Sequence, residues 1–154
     1  MDAKGIRDFA ASGGPGVAVA FPRRDDPSVL HVTFEGLGDT PFEGGLYHAE
    51  LALNGYPAFP PRVTMLWPSG SFQVDVPLCV PGVTHYTPHL WKRDTTLEGL
   101  VNTLRVMMAS TDLLARRGIG FVQRIDEAEA RRLATASRSA SCAACGRHPH
   151  AENE

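Results

Sequence analysis

Apolar residues occupy every second position in two neighbouring segments, 30–34 and 47–53, and this alternation limits the possible folds more than any other feature. A period of two is typical of strands that bury one face and expose the other. Short strands are also predicted at 17–21 and at 63–66, before and after these two segments. Consecutive strands with short connections predict a four-stranded antiparallel meander.

Helices are predicted on both sides of this sheet. A short helix is expected over residues 2–12, before a Gly-Gly-Pro turn. Thr95 and Glu98 fit a capping box for a second helix, in which apolar residues recur at helical spacing on one face. Asp126 fits the N-cap of a third helix over 126–138, a stretch without glycine or proline. The sheet and the separate helices predict an α+β fold.

The size and charge of the chain exclude several classes of protein. Its 154 residues suffice for one domain with its own core, expected at 1–140, followed by a flexible tail at 141–154. A formal net charge of −2 gives no basic field for nucleic acid, and no apolar run is long enough to span a membrane. Three cysteines, an odd number, argue against a secreted disulfide framework and favour the reducing cytoplasm.

The stretch from residue 68 to residue 94 contains 27 residues, four of them prolines, and no predicted helix or strand. Loops of this length inside compact domains are usually functional. This one contains Cys79, and a cysteine thiolate on an accessible loop is an effective nucleophile. The alternative is a buried and unreactive thiol, since free cysteines often lie in protein interiors.

Four motifs follow one another around and within this region. They are Asp39-Thr40-Pro41-Phe42-Glu43-Gly44-Gly45, Tyr56-Pro57-Ala58-Phe59-Pro60-Pro61, Leu78-Cys79 and Trp91. In this order and spacing they resemble the catalytic domain of ubiquitin-conjugating enzymes. The resemblance implies the ubiquitin-conjugating fold and an acyltransferase that carries ubiquitin as a thioester on Cys79. It also implies ubiquitin, a ubiquitin-activating enzyme and a ubiquitin ligase as partners, and no cofactor.

Further segments resemble one branch of that family, the J-type enzymes anchored in the endoplasmic reticulum. These are residues 67–72, the long gap from there to the cysteine, residues 126–134 and residues 142–146. The resemblance implies a role in endoplasmic-reticulum-associated degradation, at the surface of that membrane. The anchor of the branch does not occur within these residues, which would fit either its loss or a fragment.

Transfer of ubiquitin from the thioester requires a donor to the developing oxyanion and benefits from a base. Ser69 stands where the family has an asparagine with this kind of role, although its hydroxyl could instead only shape a turn. His85 and His89 follow the cysteine by six and ten residues and are either bases or solvated bystanders. Asp112 resembles an acidic position on the acceptor side of the family's active site.

Two loops are expected to form the surface that docks a ligase. By resemblance to the family, this surface includes Ala58 and Phe59 in the proline-rich segment and Lys92 and Arg93 after the tryptophan. An exposed Phe59 would be its anchor, whereas ordinary core packing of that ring is the alternative.

Cys142 and Cys145 form a Cys-x-x-Cys motif, with His148 and His150 close behind. Four such side chains could bind zinc. The spacing is too compressed for the usual knuckle pairs, so a loose tail without a metal site is the favoured interpretation.

The resemblance leaves one alternative function open. The short first helix and the serine at position 69 would also fit a catalytically weak relative that binds ubiquitin or acts as a scaffold. Such variants typically lack the cysteine, and Cys79 is present.

Overall fold

A computed structural model of the chain describes residues 3–12, 14–79, 88–110 and 126–146. Within these residues lie three α-helices, four strands and one short 3-10 helix. They are α1 (Ala3–Ser12), β1 (Val17–Ala20), β2 (Val29–Glu35), β3 (Leu46–Ala52), β4 (Arg62–Met65), the 3-10 helix (Pro88–Leu90), α2 (Leu97–Ala109) and α3 (Glu127–Ser137).

The four strands form one antiparallel sheet in the order β1-β2-β3-β4, which confirms the predicted meander. The alternation sends one set of side chains to the first face of the sheet, where Leu30, Val32 and Phe34 are completely buried. The apolar side of α2 belongs to the same core cluster, and α1 contacts both β1 and α2. Burial of one sheet face against helices is the arrangement that the period of two predicted.

The second face of the sheet is polar but not exposed. The register of β2 and β3 places Thr33 opposite His48 and His31 opposite Glu50, so these four side chains share that face. His31, Thr33 and His48 are nevertheless 1%, 4% and 0% exposed. Side chains with so little exposure must be covered by another part of the chain. Their polar atoms also require hydrogen-bond partners there.

The cover comes from the C-terminal end of the described chain. α3 contacts β3, and the Ser137 hydroxyl accepts a hydrogen bond from the Leu46 N–H at 2.8 Å. Beyond α3, the sulfurs of Cys142 and Cys145 lie against His31 and His48. Residues up to 146 thus contact the sheet, although a flexible tail was expected from residue 141. The predicted division into a core and a tail stays a prediction, and 147–154 lie outside the described residues.

The structure confirms one of the two predicted helix N-caps and corrects the other. Asp126 caps α3 as predicted, with its carboxylate accepting from the Glu129 N–H at 3.1 Å. The expected cap of α2 at Thr95 is wrong by one residue: Thr96 is the N-cap, and its hydroxyl accepts from the Gly99 N–H at 3.0 Å. Two adjacent threonines offer the same capping chemistry, and tertiary packing decides between them.

Candidate active site

Cys79 lies at the end of a segment that β4 holds in place. The Asp75 N–H donates to the Met65 carbonyl at 2.9 Å, and the Leu78 N–H donates to the Val63 carbonyl at 2.8 Å. The Leu78 side chain is completely buried in the core, so the residue before the cysteine is fixed both by its backbone and by its side chain. Cys79 follows directly, half-buried and unpaired with any other cysteine.

Ser69, the predicted oxyanion donor, is completely buried. Its hydroxyl oxygen accepts hydrogen bonds from the N–H groups of Ser71 at 3.3 Å and Phe72 at 3.0 Å. Gly70, which directly follows Ser69, has a φ of 82°, a left-handed conformation that favours glycine. This geometry fits the alternative in which Ser69 shapes a turn, and a role in transfer stays a prediction.

Of the other predicted catalytic side chains, His89 alone lies among the described residues. His89 is exposed on the 3-10 helix, after which Trp91 returns to the core. His85 and Asp112 lie outside the described residues. A part for any of the three in the chemistry of Cys79 stays a prediction.

Two hydrogen bonds join the two loops of the predicted docking surface. The Trp91 indole N–H donates to the Pro57 carbonyl at 2.8 Å, and the Tyr56 hydroxyl donates to the Thr95 carbonyl, also at 2.8 Å. The two rings meet edge to face with centroids 6.2 Å apart. Because these contacts reach 34 and 39 residues along the chain, they make one surface out of two distant segments.

The side chains expected on this surface are exposed. Phe59 has 60% of its side-chain surface in solvent, which excludes ordinary core packing, and Ala58, Lys92 and Arg93 are exposed as well. Leu90, at 50% exposure, adds a second large apolar side chain that the sequence analysis did not single out. Its position just before the buried Trp91 was the only available signal.

A second cluster of chemically active side chains was not predicted as a unit. The sequence suggested Cys142, Cys145, His148 and His150 as one set of zinc ligands. The two histidines of that set lie outside the described residues. Among the described residues, the two cysteines meet His31 and His48 instead. Both histidines had appeared in the sequence only as polar positions within alternating strands.

Comparison with known proteins gives relatives of one kind, while no family model matches the chain. The ubiquitin-conjugating enzyme E2 6 of Eremothecium gossypii is 34% identical over 114 residues, which cover 67% of this chain and 47% of that protein. The human ubiquitin-conjugating enzyme E2 J1 is 28% identical over 130 residues, covering 82% of this chain and 39% of that protein. The chain therefore spans less than half the length of these two relatives.

Solved structures show the same kind of fold. One described as a novel ubiquitin-conjugating enzyme superimposes with a TM-score of 0.59 at 18% identity, covering 86% of this chain and 89% of that one. The human ubiquitin-conjugating enzyme E2 G1 gives a TM-score of 0.54 at 21% identity, covering 69% and 89%.

None of the helices in the described part of the chain combines the length and the apolar character that crossing a membrane requires.

Proposed function

We propose that this domain, which has the fold of ubiquitin-conjugating enzymes and resembles the J-type members among them, accepts ubiquitin on Cys79 and transfers it to a substrate. The observation that carries the proposal is the position of Cys79. It directly follows a segment hydrogen-bonded to β4, and its thiol is only half-buried. A nucleophile that must meet two large partners in turn requires both a fixed backbone and an accessible sulfur.

The first step is an exchange of thioesters. The Cys79 thiolate attacks the carbonyl carbon at the C-terminus of ubiquitin, which the activating enzyme holds as a thioester. A new bond between sulfur and carbon forms, the bond to the activating enzyme's sulfur breaks, and the proton lost from Cys79 ends on that departing thiol. One thioester replaces another, so no external energy source is needed at this step.

In the second step, an amine of the substrate attacks the same carbonyl carbon. The carbon–nitrogen bond forms, the carbon–sulfur bond breaks, and the proton released by the amine returns the Cys79 thiolate to a thiol. We propose that His85, His89 and Asp112 support this step, and we assign Ser69 to the turn that precedes the cysteine segment.

A ligase would dock on the surface made by the two joined loops. Phe59 and Leu90 supply apolar contact area, and Lys92 and Arg93 supply positive charge beside it. Apolar anchors with a charged rim are typical of protein–protein interfaces. We therefore propose a ligase surface with a complementary acidic edge as the partner here.

The proposed place of action is the cytoplasm, at the cytoplasmic face of the endoplasmic reticulum, with substrates destined for degradation. The resemblance to J-type relatives supports this location. Fractionation of cells that express the protein tests it, together with the turnover of a misfolded protein of the endoplasmic reticulum when the protein is depleted. Loss of the protein without any change in that turnover would contradict this part of the proposal.

The test of the activity is a loading reaction with activating enzyme, ATP and ubiquitin. The expected product is an adduct that thiol reductants cleave. Cys79→Ser should give a reductant-resistant ester or no adduct, and Cys79→Ala should give none. A reductant-sensitive adduct on Cys79→Ala would contradict the assignment.

The alternative is a catalytically weak binding or scaffold protein, which the burial of Ser69 at the position of the family's asparagine favours. Binding of ubiquitin by the folded chain without any thioester would establish that alternative.

A further inference from the structure

Four metal-binding side chains meet on the second face of the sheet, at the junction between the strands and the C-terminal segment. His31 comes from β2, His48 from β3, and Cys142 and Cys145 from the segment after α3. One ligand atom from each of them lies within 4.8 Å of all the others. The geometry points to a structural zinc site that fastens the C-terminal segment to the sheet.

The distances fit a single tetrahedral ion. His31 Nδ1 and His48 Nε2 are 3.2 Å apart, Cys142 Sγ is 3.7 Å from His31 Nδ1, and Cys145 Sγ is 3.4 Å from His48 Nε2. Tetrahedral zinc, with bonds of about 2.05 Å to nitrogen and about 2.3 Å to sulfur, separates two nitrogens by about 3.3 Å and nitrogen from sulfur by about 3.5 Å. Three of the six separations among the four atoms thus match those around one zinc ion, and the other three lie within 4.8 Å.

The outer nitrogen of each imidazole has a partner of the kind that zinc-binding histidines have. His31 Nε2 lies 3.0 Å from a Glu50 carboxylate oxygen, and His48 Nδ1 lies 2.8 Å from the Thr33 hydroxyl. With protons on these outer nitrogens, the inner nitrogens present lone pairs to each other, and a cation between them removes the repulsion. A carboxylate or hydroxyl in this position also fixes the ring orientation and tunes the metal affinity.

The sequence around the cysteines fits a zinc-binding turn. Cys142-Ala143-Ala144-Cys145-Gly146 closes with a hydrogen bond of 2.8 Å from the Gly146 N–H to the Cys142 carbonyl. Gly146 has a φ of 73°, which favours glycine. The turn points both sulfurs toward the same pair of buried rings.

The donor set indicates both the metal and its role. Two thiolates and two imidazoles in tetrahedral spacing favour zinc over magnesium or calcium, which prefer oxygen. Four protein ligands leave no position for water or substrate, which is typical of a structural rather than a catalytic site. Since both histidines are buried, the ion would lie beneath the C-terminal segment and hold it there.

The test begins with the zinc content of the purified full chain, with any affinity tag removed. We expect one zinc per chain in the wild type and in Cys79→Ser, and none above background in a Cys142→Ser/Cys145→Ser double variant. Cobalt(II) bound in place of zinc should give a thiolate charge-transfer band and the intense visible bands of tetrahedral coordination. Glu50→Gln should keep the site but weaken zinc affinity by about 10- to 100-fold.

A second measurement remains decisive if the double variant fails to fold. In the wild type, thiol alkylation mapped by mass spectrometry should spare Cys142 and Cys145 until a zinc chelator is added, while Cys79 reacts with or without the chelator. Zinc-free wild-type protein with Cys142 and Cys145 freely alkylated, or joined by a disulfide, would overturn the proposal. Equal zinc content in the wild type and a folded double variant would overturn it as well. Neither measurement depends on ubiquitin transfer. A negative result would therefore overturn the zinc site and leave the proposed enzyme activity untouched.

Discussion

Ser69 illustrates how a hydroxyl far from solvent can hold a turn together as a hydrogen-bond acceptor. Its oxygen accepts from two backbone N–H groups, and its side chain is completely buried. A donor to an oxyanion must instead direct its proton toward the reacting carbonyl. The resemblance to ubiquitin-conjugating enzymes predicted that Ser69 replaces the family's asparagine, but the bonds that the hydroxyl forms are those of a turn.

Ser69→Ala should therefore act on stability more than on transfer. Two buried N–H groups would lose their acceptor, and we expect a loss of about 1–3 kcal/mol in the free energy of unfolding. Single-turnover discharge of preloaded enzyme onto free lysine should fall by less than tenfold.

The matched control is Ser71→Ala, because Ser71 lies in the same turn and its Oγ makes a long contact of 3.5 Å with Ser69 Oγ. It should cost less than Ser69→Ala in urea denaturation. A fall in discharge of about a hundredfold or more in Ser69→Ala, the magnitude for a lost oxyanion donor, would assign the hydroxyl to the chemistry instead.

Among the secondary-structure elements, α2 offers a comparison between two neighbouring threonines. Thr96→Ala removes the N-cap and should lower the free energy of unfolding by about 1 kcal/mol. Thr95→Ala should cost clearly less, since Thr95 contributes backbone hydrogen bonds to Lys92 and Tyr56 that alanine retains. Urea denaturation of both variants measures the difference, and a larger loss in Thr95→Ala would contradict the assigned cap.

The exposure of Phe59 on the surface made by the two joined loops predicts a role in ligase binding rather than in stability. Phe59→Ala should barely change stability, because the ring is largely exposed, and should not change discharge onto free lysine. It should weaken binding of a ubiquitin ligase that stimulates the wild type, and the expected loss of affinity is about 2 kcal/mol, or roughly thirtyfold. Calorimetric titration measures this loss. Leu37→Ala, another exposed apolar residue, is the control, and an equal effect there would contradict a specific docking role.

The elements differ in how far the sequence predicts them. Strands β2 and β3 follow from alternation alone, because burial of one face imposes a period of two. The same alternation concealed His31 and His48, which look like solvent-facing positions until something covers them. Their cysteine partners are 111 and 97 residues away, and no local pattern encodes contacts at that separation. The Cys79 segment was predicted as a functional loop, but its hydrogen bonds to β4 depend on the tertiary fold.

On the scale of the whole molecule, the end of α3 is joined to β3 and to the loop before it by hydrogen bonds from Ser137 and Arg138, the latter donating to the Gly44 carbonyl at 2.5 Å. Ser137 Oγ accepts from the Leu46 N–H and donates to the Ala134 carbonyl, at 2.8 and 2.6 Å. Ser137→Ala should lower the free energy of unfolding by about 1–3 kcal/mol, because the Leu46 N–H would lose its partner.

Thr135→Ala is the matched control, since Thr135 is exposed and its hydroxyl donates to the Arg131 carbonyl within the helix. Thermal unfolding should separate the two variants. Proteolysis should also cut Ser137→Ala near α3 sooner than it cuts the wild type. Equal behaviour of both variants would show that the Ser137 hydroxyl does not hold the helix against the sheet.

The contact between the C-terminal segment and the sheet has a consequence for synthesis on the ribosome. The strands that carry His31 and His48 end at residue 52, and the sheet ends at residue 65, whereas Cys142 is made 77 residues later. At about 5–20 residues per second, translation of that interval takes about 4–15 s. Throughout this time, a nascent chain whose sheet has formed presents its polar face to solvent, and two imidazoles that are shielded in the folded protein meet water. Cys142 and Cys145 therefore complete the burial of histidines that are made 111 and 97 residues before them.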